Sequence, residues 1–284
     1  DKAAADTVAS GFGGVARALD VADESAVATL IEEIECEFGP IDLFVSNAGV
    51  GFGDGESGAV SAEGGMIPVD DRWQVSWQVN VMAHVYAARA LLPRMIERGG
   101  GHLVNVASAA GLLSQIGDAA YSATKHAAVA FAESLAITHG EQGIRVSVVC
   151  PQAVATRMIG IEDDADSFDG GFGGNDVDGI LSPDQVADDI VAGIQSGSFL
   201  VLPHPDLQRA QTAPTLPWAA ANTGRDGSGP TKHRPPPVQG PALHDDDAGE
   251  AALGVDLLPQ LALVLEDVVQ VVDFLKPARI LDGT

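Results

Sequence analysis

The chain has 284 residues, 46% of them hydrophobic, and carries 40 acidic against 15 basic side chains for a formal net charge of -25. That length and apolar content suffice for one sizeable core, while the charge sets aside nucleic acid and anionic membrane surfaces as partners. No apolar run reaches the roughly 18 residues that span a bilayer. Two distant cysteines, Cys36 and Cys150, imply neither a disulfide framework nor a cysteine metal site, so the cytoplasm is the expected location.

"DKAAADTVAS" opens the chain and reads as the end of a helix. "GVARALDV" follows as a short strand. Asp23 to Phe38 is amphipathic, with Val27, Leu30, Ile31 and Ile34 on one face and Glu32, Glu33 and Glu37 on the other; Gly39 and Pro40 stop it. "IDLFVSNAG" is an apolar strand that ends in a turn, and Gly51 to Gly65 is a polar, glycine-rich loop. A long helix is predicted from Asp70 to about Arg98, then a buried strand at "HLVNVAS". A helix rich in small residues runs from Ala119 to about His139, and "IRVSVVC" is a strand broken at Pro151. "SPDQVADDIVAGI" has Ser182 as N-cap and Pro183 at the first helical position. "FLVLP" closes the series as a strand.

Apolar strands alternating with helices predict an α/β fold, a doubly wound parallel sheet of Rossmann-like type, over residues 1–205. Residues 206–250 turn rich in Pro, Gly, Thr and Asp and have the composition of a linker. Residues 251–284 hold an amphipathic helix at 260–276, with Leu261, Val264, Leu265, Val268, Val272 and Leu275 on one face.

The chemistry concentrates in "SAAGLLSQIGDAAYSATKHA". Ser108 stands thirteen residues before Tyr121, and Lys125 follows Tyr121 by four. Tyr121 and Lys125 therefore share a helix face. A phenol is a poor base near neutrality, and a neighbouring ammonium is expected to lower its pKa. Ser108, at a strand end, lies where a parallel sheet places its ligand crevice, and its hydroxyl can donate to a carbonyl oxygen. Asn80 inside a helix is mildly unfavourable and suggests a hydrogen-bond bridge. "SNAG" ends a strand, and its small residues let a flat ligand approach the backbone.

Taken in order, these residues resemble the classical short-chain dehydrogenase/reductase family over residues 1 to about 205. The resemblance implies Asn80, Ser108, Tyr121 and Lys125 as a catalytic tetrad and NAD or NADP as cofactor, with a lean to NAD. It implies that Tyr121 exchanges the hydroxyl proton and Ser108 steadies the substrate oxygen. Lys125 would lower the phenol's pKa and hold the nicotinamide ribose, Tyr121 would contact the cofactor as well, and Asn80 would anchor a water linking Lys125 to solvent. It places Asp20 and Val21 at the adenine and Asn47, Ala48 and Gly49 along the cofactor. Pro151, Val154 and Thr156 come after the sixth strand, with Thr156 at the carboxamide. No metal is implied. A homo-oligomer through the helices at 70–98 and 119–139 is implied as well.

Some features depart from the family's pattern. "GFGGVA" (11–16) mimics a phosphate-binding loop but stands between a helix and a strand, the reverse of what a helix N-terminus requires. "GVGFG" (49–53) follows a strand without opening a helix, and "GGFGGND" (170–176) reads as a lid. An opening strand-helix-strand of about 30 residues is therefore expected to be missing before Asp1. Gln152 stands where the family has Gly. The alternative reading is a non-catalytic member acting as a subunit or scaffold.

His84 reads as a core or interface residue, His126 as facing away from the site, and Cys150 as a buried inert thiol. "HDDD" (244–247) reads as an exposed acidic linker. From Met158 to Gln208 there is no Lys or Arg, and ten acids precede Ala192. An acidic cover disfavours anionic substrates, so the expected substrate is a neutral alcohol or ketone.

Overall fold

The computed structural model describes residues 2–52, 72–115, 117–156, 158, 179–204 and 207. Most of the glycine-rich loop, the segment 170–176, the linker and the helix at 260–276 lie outside the described residues.

Helix α1 (Lys2–Phe12) ends where Gly13 takes a positive φ of 74° and the Gly14 N–H caps the Ala9 carbonyl at 2.8 Å. The glycines of "GFGGVA" thus terminate a helix. Residues 14–20 then run without helix or strand. The strand expected at "GVARALDV" is not formed. A strand exists through its ladder to a neighbour, and among the described residues no segment pairs with this one.

Asp23 caps α2 (Glu24–Phe38) by accepting from the Ser25 and Ala26 N–H groups. The chain continues as β1 (Leu43–Ser46) and α3 (Arg72–Trp77), then a π turn at Gln78–Met82 and α4 (Ala83–Glu97). β2 (Gly101–Val106), α5 (Ala119–His139), β3 (Ile144–Val149), α6 (Pro183–Ser196) and β4 (Leu200–Val201) follow. Ser182 and Gln185 form a reciprocal capping box at the start of α6.

The sheet runs β1-β2-β3-β4, every pair parallel. Alternation along the strands divides two cores. Phe44, Leu103, Val146 and Val148 face α2, α4 and α5, meeting Leu30, Ile34, Leu91, Met95 and Ala132. Val45, Val104, Val149 and Val201 face Val186, Ile190 and Ile194 of α6. Helices cover both faces, so the sheet is doubly wound. Each fully buried aliphatic side chain contributes about 1.5–3 kcal/mol.

Between α2 and α4 the joint is ionic. Glu35 takes Arg94 at 2.9 Å and Arg98 at 3.1 Å. Burial pushes the Glu35 carboxyl up, but the bonds from Arg94, the Ile41 N–H and Arg98 outweigh it and hold the group below its usual range.

Candidate active site

Beyond the carboxyl end of β2, Ser108 begins a 3-10 turn at Ala109–Gly111, its Oγ accepting the Ala110 N–H at 3.1 Å. The Ala109 N–H reaches the Pro151 carbonyl at 2.7 Å, tying this turn to the segment after β3. The turn rests directly on α5. A Cβ at Gly111 would lie 2.6 Å from the Lys125 carbonyl oxygen, so only glycine permits the approach.

Asp118 caps α5. Its Oδ1 accepts the Tyr121 N–H at 2.9 Å and its Oδ2 accepts the Phe52 N–H at 3.1 Å. One carboxylate therefore fixes both the first turn of α5 and the loop after β1. Lys125, one turn further, is buried. Its Nζ donates to the Val106 carbonyl at 3.1 Å and sits 5.5 Å from the centroid of the Tyr121 ring.

Asn80 is fully buried in the π turn, where the Ala83 N–H reaches back to the Gln78 carbonyl. Such turns are rare and recur at functional sites. The Asn80 amide accepts from the Val50 N–H at 2.8 Å and donates to the Val50 carbonyl at 2.9 Å and to Thr124 Oγ1 at 3.0 Å. Its side chain thus joins the loop after β1 to α5. Gly49 lies at this junction: a Cβ there would stand 3.2 Å from Lys125 Nζ and 3.5 Å from Asn80 Oδ1.

Burial raises the Tyr121 phenol above its ordinary value; a hydrogen bond with Ser108 opposes this, while Asp118 and Cys150 add to it. The expectation that Lys125 makes this phenol more acidic is corrected here. The Lys125 ammonium donates to the Val106 carbonyl and stands 5.5 Å from the ring centroid, and desolvation decides the balance. Burial also brings Lys125 down to about 8 and pushes the Cys150 thiol up to about 11.

Of the sequence-predicted residues, Asn80, Ser108, Tyr121 and Lys125 converge at the carboxyl ends of β1, β2 and β3. Gly49 and Pro151 join them, and Asn47 and Ala48 occupy the same post-strand loop as Gly49. Val154 bridges to Leu181, and Thr156 lies in the bend that follows. Asp20 and Val21 lie on the turn before α2, where Asp20 Oδ1 accepts the Ala22 N–H at 2.9 Å. His84 is a core residue, and His126 is exposed with Nδ1 2.8 Å from the Ser122 carbonyl. Sequence reasoning missed Asp118, Thr124 and His204. An acid three residues before Tyr121 is a helix-cap signal that was there to be read; His204 carries no such signal.

The geometry is that of a Rossmann-like α/β domain with its crevice at the carboxyl edge of a parallel sheet. Residues 1–166 match the family described as short chain dehydrogenase, and the chain belongs to that family. It is similar to 1-deoxy-11-beta-hydroxypentalenate dehydrogenase of Streptomyces exfoliatus, 38% identical over 157 residues, covering 55% of this chain and 54% of that one. It is also similar to an uncharacterized NAD-dependent oxidoreductase of Mycobacterium tuberculosis, 38% identical over 146 residues, covering 51% of this chain and 50% of that one. The chain thus spans about half the length of the curated relatives it matches. Among solved structures, a short-chain dehydrogenase from Streptomyces avermitilis superposes with a TM-score of 0.57 at 25% identity, covering 74% of this chain and 79% of that one.

The family implies a nicotinamide cofactor. The bare Cα of Gly49 beside the Lys125 ammonium leaves open a space that a side chain would fill, which suits the ribose end of such a group. Among the described residues no glycine-rich turn leads from a strand into a helix to take a pyrophosphate.

Proposed function

We propose that the protein is an NAD(P)-dependent oxidoreductase that interconverts an alcohol and a carbonyl. The observation that carries this reading is the convergence of the Ser108 hydroxyl, the Tyr121 phenol and the Lys125 ammonium beyond the end of β2. Asn47, Ala48, Gly49, Tyr121, Lys125, Pro151, Val154 and Thr156 would hold the cofactor's nicotinamide half, and Asp20 and Val21 its adenine end. When bound, that cofactor supplies or accepts a hydride. Ser108 donates a hydrogen bond to the substrate oxygen and orients it. Tyr121, held protonated by its burial, gives its proton to that oxygen as a carbonyl is reduced and takes it back in the reverse direction. Lys125 supplies positive charge beneath the phenol. Asn80 keeps the Val50 loop against α5 so that these groups stay in register.

The cofactor is NAD in preference to NADP; the name of the mycobacterial relative supports this lean. The substrate is a neutral alcohol or ketone of moderate size, in keeping with the acidic segment that follows Thr156. The free thiols of Cys36 and Cys150 suit a reducing cytoplasm. The helices at 70–98 and 119–139 pair copies of the chain, a reading supported by Trp77 at 40% and Ile137 at 84% exposure.

The test is a titration of the full-length protein with NADH and NADPH, followed by nicotinamide fluorescence. A panel of neutral ketones is then run against acyl-carrier thioesters. Binding of NADH followed by turnover of a ketone is expected. Failure to bind either nucleotide would overturn the enzymatic reading in favour of a non-catalytic role.

A further inference from the structure

We propose that His204 is a positioning residue for the reaction, a strut that holds the Pro151–Ala153 turn where the cofactor's nicotinamide end is to lie. This inference rests on the function proposed above. β4 ends at Val201, and His204 follows it into the interior with no exposed surface. Its ring makes two bonds to consecutive residues of the turn after β3. Nδ1 lies 3.1 Å from the Gln152 N–H and Nε2 lies 3.2 Å from the Ala153 carbonyl.

These partners fix the tautomer. A backbone N–H can only donate, so Nδ1 is bare; a carbonyl can only accept, so Nε2 carries the proton. Only the neutral ring in this one tautomer satisfies both. Burial lowers the ring's pKa, although the Ala153 carbonyl and Asp189 act in the other direction, and the neutral form is favoured.

The turn is gripped from three directions. Ala109 holds the Pro151 carbonyl from the Ser108 side at 2.7 Å. Leu181 exchanges bonds with Ala153 and Ala155 at 3.1 and 2.9 Å. His204 closes the remaining side and connects the turn to the segment after β4. Pro151 has no N–H to offer, so the Gln152 N–H is the first donor of the turn, and His204 is what receives it. The segment so held presents the Gln152 Oε1, buried and without a hydrogen-bond partner among the described residues. That atom does not point to solvent, and a ligand donor would satisfy it. A ring whose two hydrogen bonds go to backbone atoms of the turn therefore sets where Pro151, Gln152 and Thr156 stand relative to Ser108 and Tyr121.

The test uses the full-length protein and compares wild type with His204→Ala, His204→Asn and His204→Gln. Nucleotide titration and steady-state kinetics with a neutral ketone are the readouts. His204→Ala is expected to raise the cofactor KM by about tenfold, the scale of two lost hydrogen bonds of modest strength, with the ketone KM within about twofold of wild type. His204→Asn, which keeps an acceptor near the Nδ1 position for Gln152, should recover most of the loss. His204→Gln, which keeps only a donor near the Nε2 position, should recover less. A purely structural role would lower the melting temperature while leaving the cofactor KM unmoved. A folded His204→Ala protein with wild-type cofactor KM overturns the proposal; should that variant fail to fold, His204→Gln decides in the same terms. Wild-type protein that binds neither nucleotide overturns the parent reading and this one together, an outcome distinct from failure in the variants alone.

Discussion

At the scale of single residues, the site combines a phenol that burial keeps protonated with an ammonium that burial weakens. Tyr121→Phe removes the phenol hydroxyl, and with it both the transferable proton and the bond with Ser108. Turnover is expected to fall on the order of 10²- to 10⁴-fold, with nucleotide binding by fluorescence unchanged. A loss of binding instead would mean that the hydroxyl serves to hold the cofactor more than to move the proton. His84 offers a separate test. It is buried at 2% exposure, neither ring nitrogen has a hydrogen-bond partner among the described residues, and burial followed by the Lys125 charge brings its pKa down to about 3. The Asn80 carbonyl lies near enough to favour the charged ring slightly, but outside bonding geometry. The folded value is below the unfolded value of about 6.5, so the unfolded chain binds the extra proton. The stability this neutral ring allows is whole above pH 6.5 and is lost progressively as pH falls toward about 3. His84→Leu should cost little at neutral pH, because an unpartnered polar group is exchanged for an apolar one. It should also flatten the decline of denaturation midpoint between pH 6.5 and 4. An unaltered acid profile would remove His84 from the cause. His102, brought down to about 4 by burial first and Arg145 second, remains in the variant and leaves part of the slope.

At the scale of elements, α5 is the platform on which the site is assembled. Two of its contacts bear most directly on the site. Asp118 caps its first turn and pins the Phe52 loop, so Asp118→Ala should lose about 1 kcal/mol of stability and weaken substrate and cofactor KM together; denaturant titration and kinetics check both. Gly111 lets the Ser108 turn lie on the Lys125 backbone. Gly111→Ala forces the two apart, with an expected cost of about 1–3 kcal/mol and a fall in kcat larger than any change in cofactor binding. Much of this was legible beforehand. The helix from Ala119 to His139 has the bounds its small-residue pattern gave, and the apolar faces of α2 are buried as periodicity required. The strand at 14–21 was misread because apolar alternation reports a segment's suitability for a sheet, whereas a ladder needs a neighbour. The direction of the Tyr121 shift was misread for a related reason. Spacing puts Lys125 on the same helix face, but only coordinates show its Nζ turned to the Val106 carbonyl. His204 was invisible because its partners are backbone atoms some fifty positions away, and backbone groups leave no mark in a sequence.

At the scale of the whole molecule, net charge and topology govern behaviour. With 40 acidic and 15 basic side chains, the folded chain repels itself. Salt screens that repulsion within about 8 Å at physiological ionic strength. The melting temperature is therefore expected to rise as potassium chloride is raised from low to molar concentration; a fall would mean that the ion pairs around Glu35 matter more than the excess charge. Topology bears on how the chain reaches this state. Leu43 lies beside His102 and Gly101 beside Ile144, so each strand finds its neighbour only after a long intervening crossover has been placed. Among the described strands every pairing is parallel and no hairpin starts the sheet, so loop closure must precede any reward from pairing. Such a chain acquires its order late and slowly, and in the interval β1 presents an apolar ribbon ready to be claimed by another molecule. Yield of active material should accordingly depend on dilution and on chaperone supply during synthesis more than on the final stability of the folded domain.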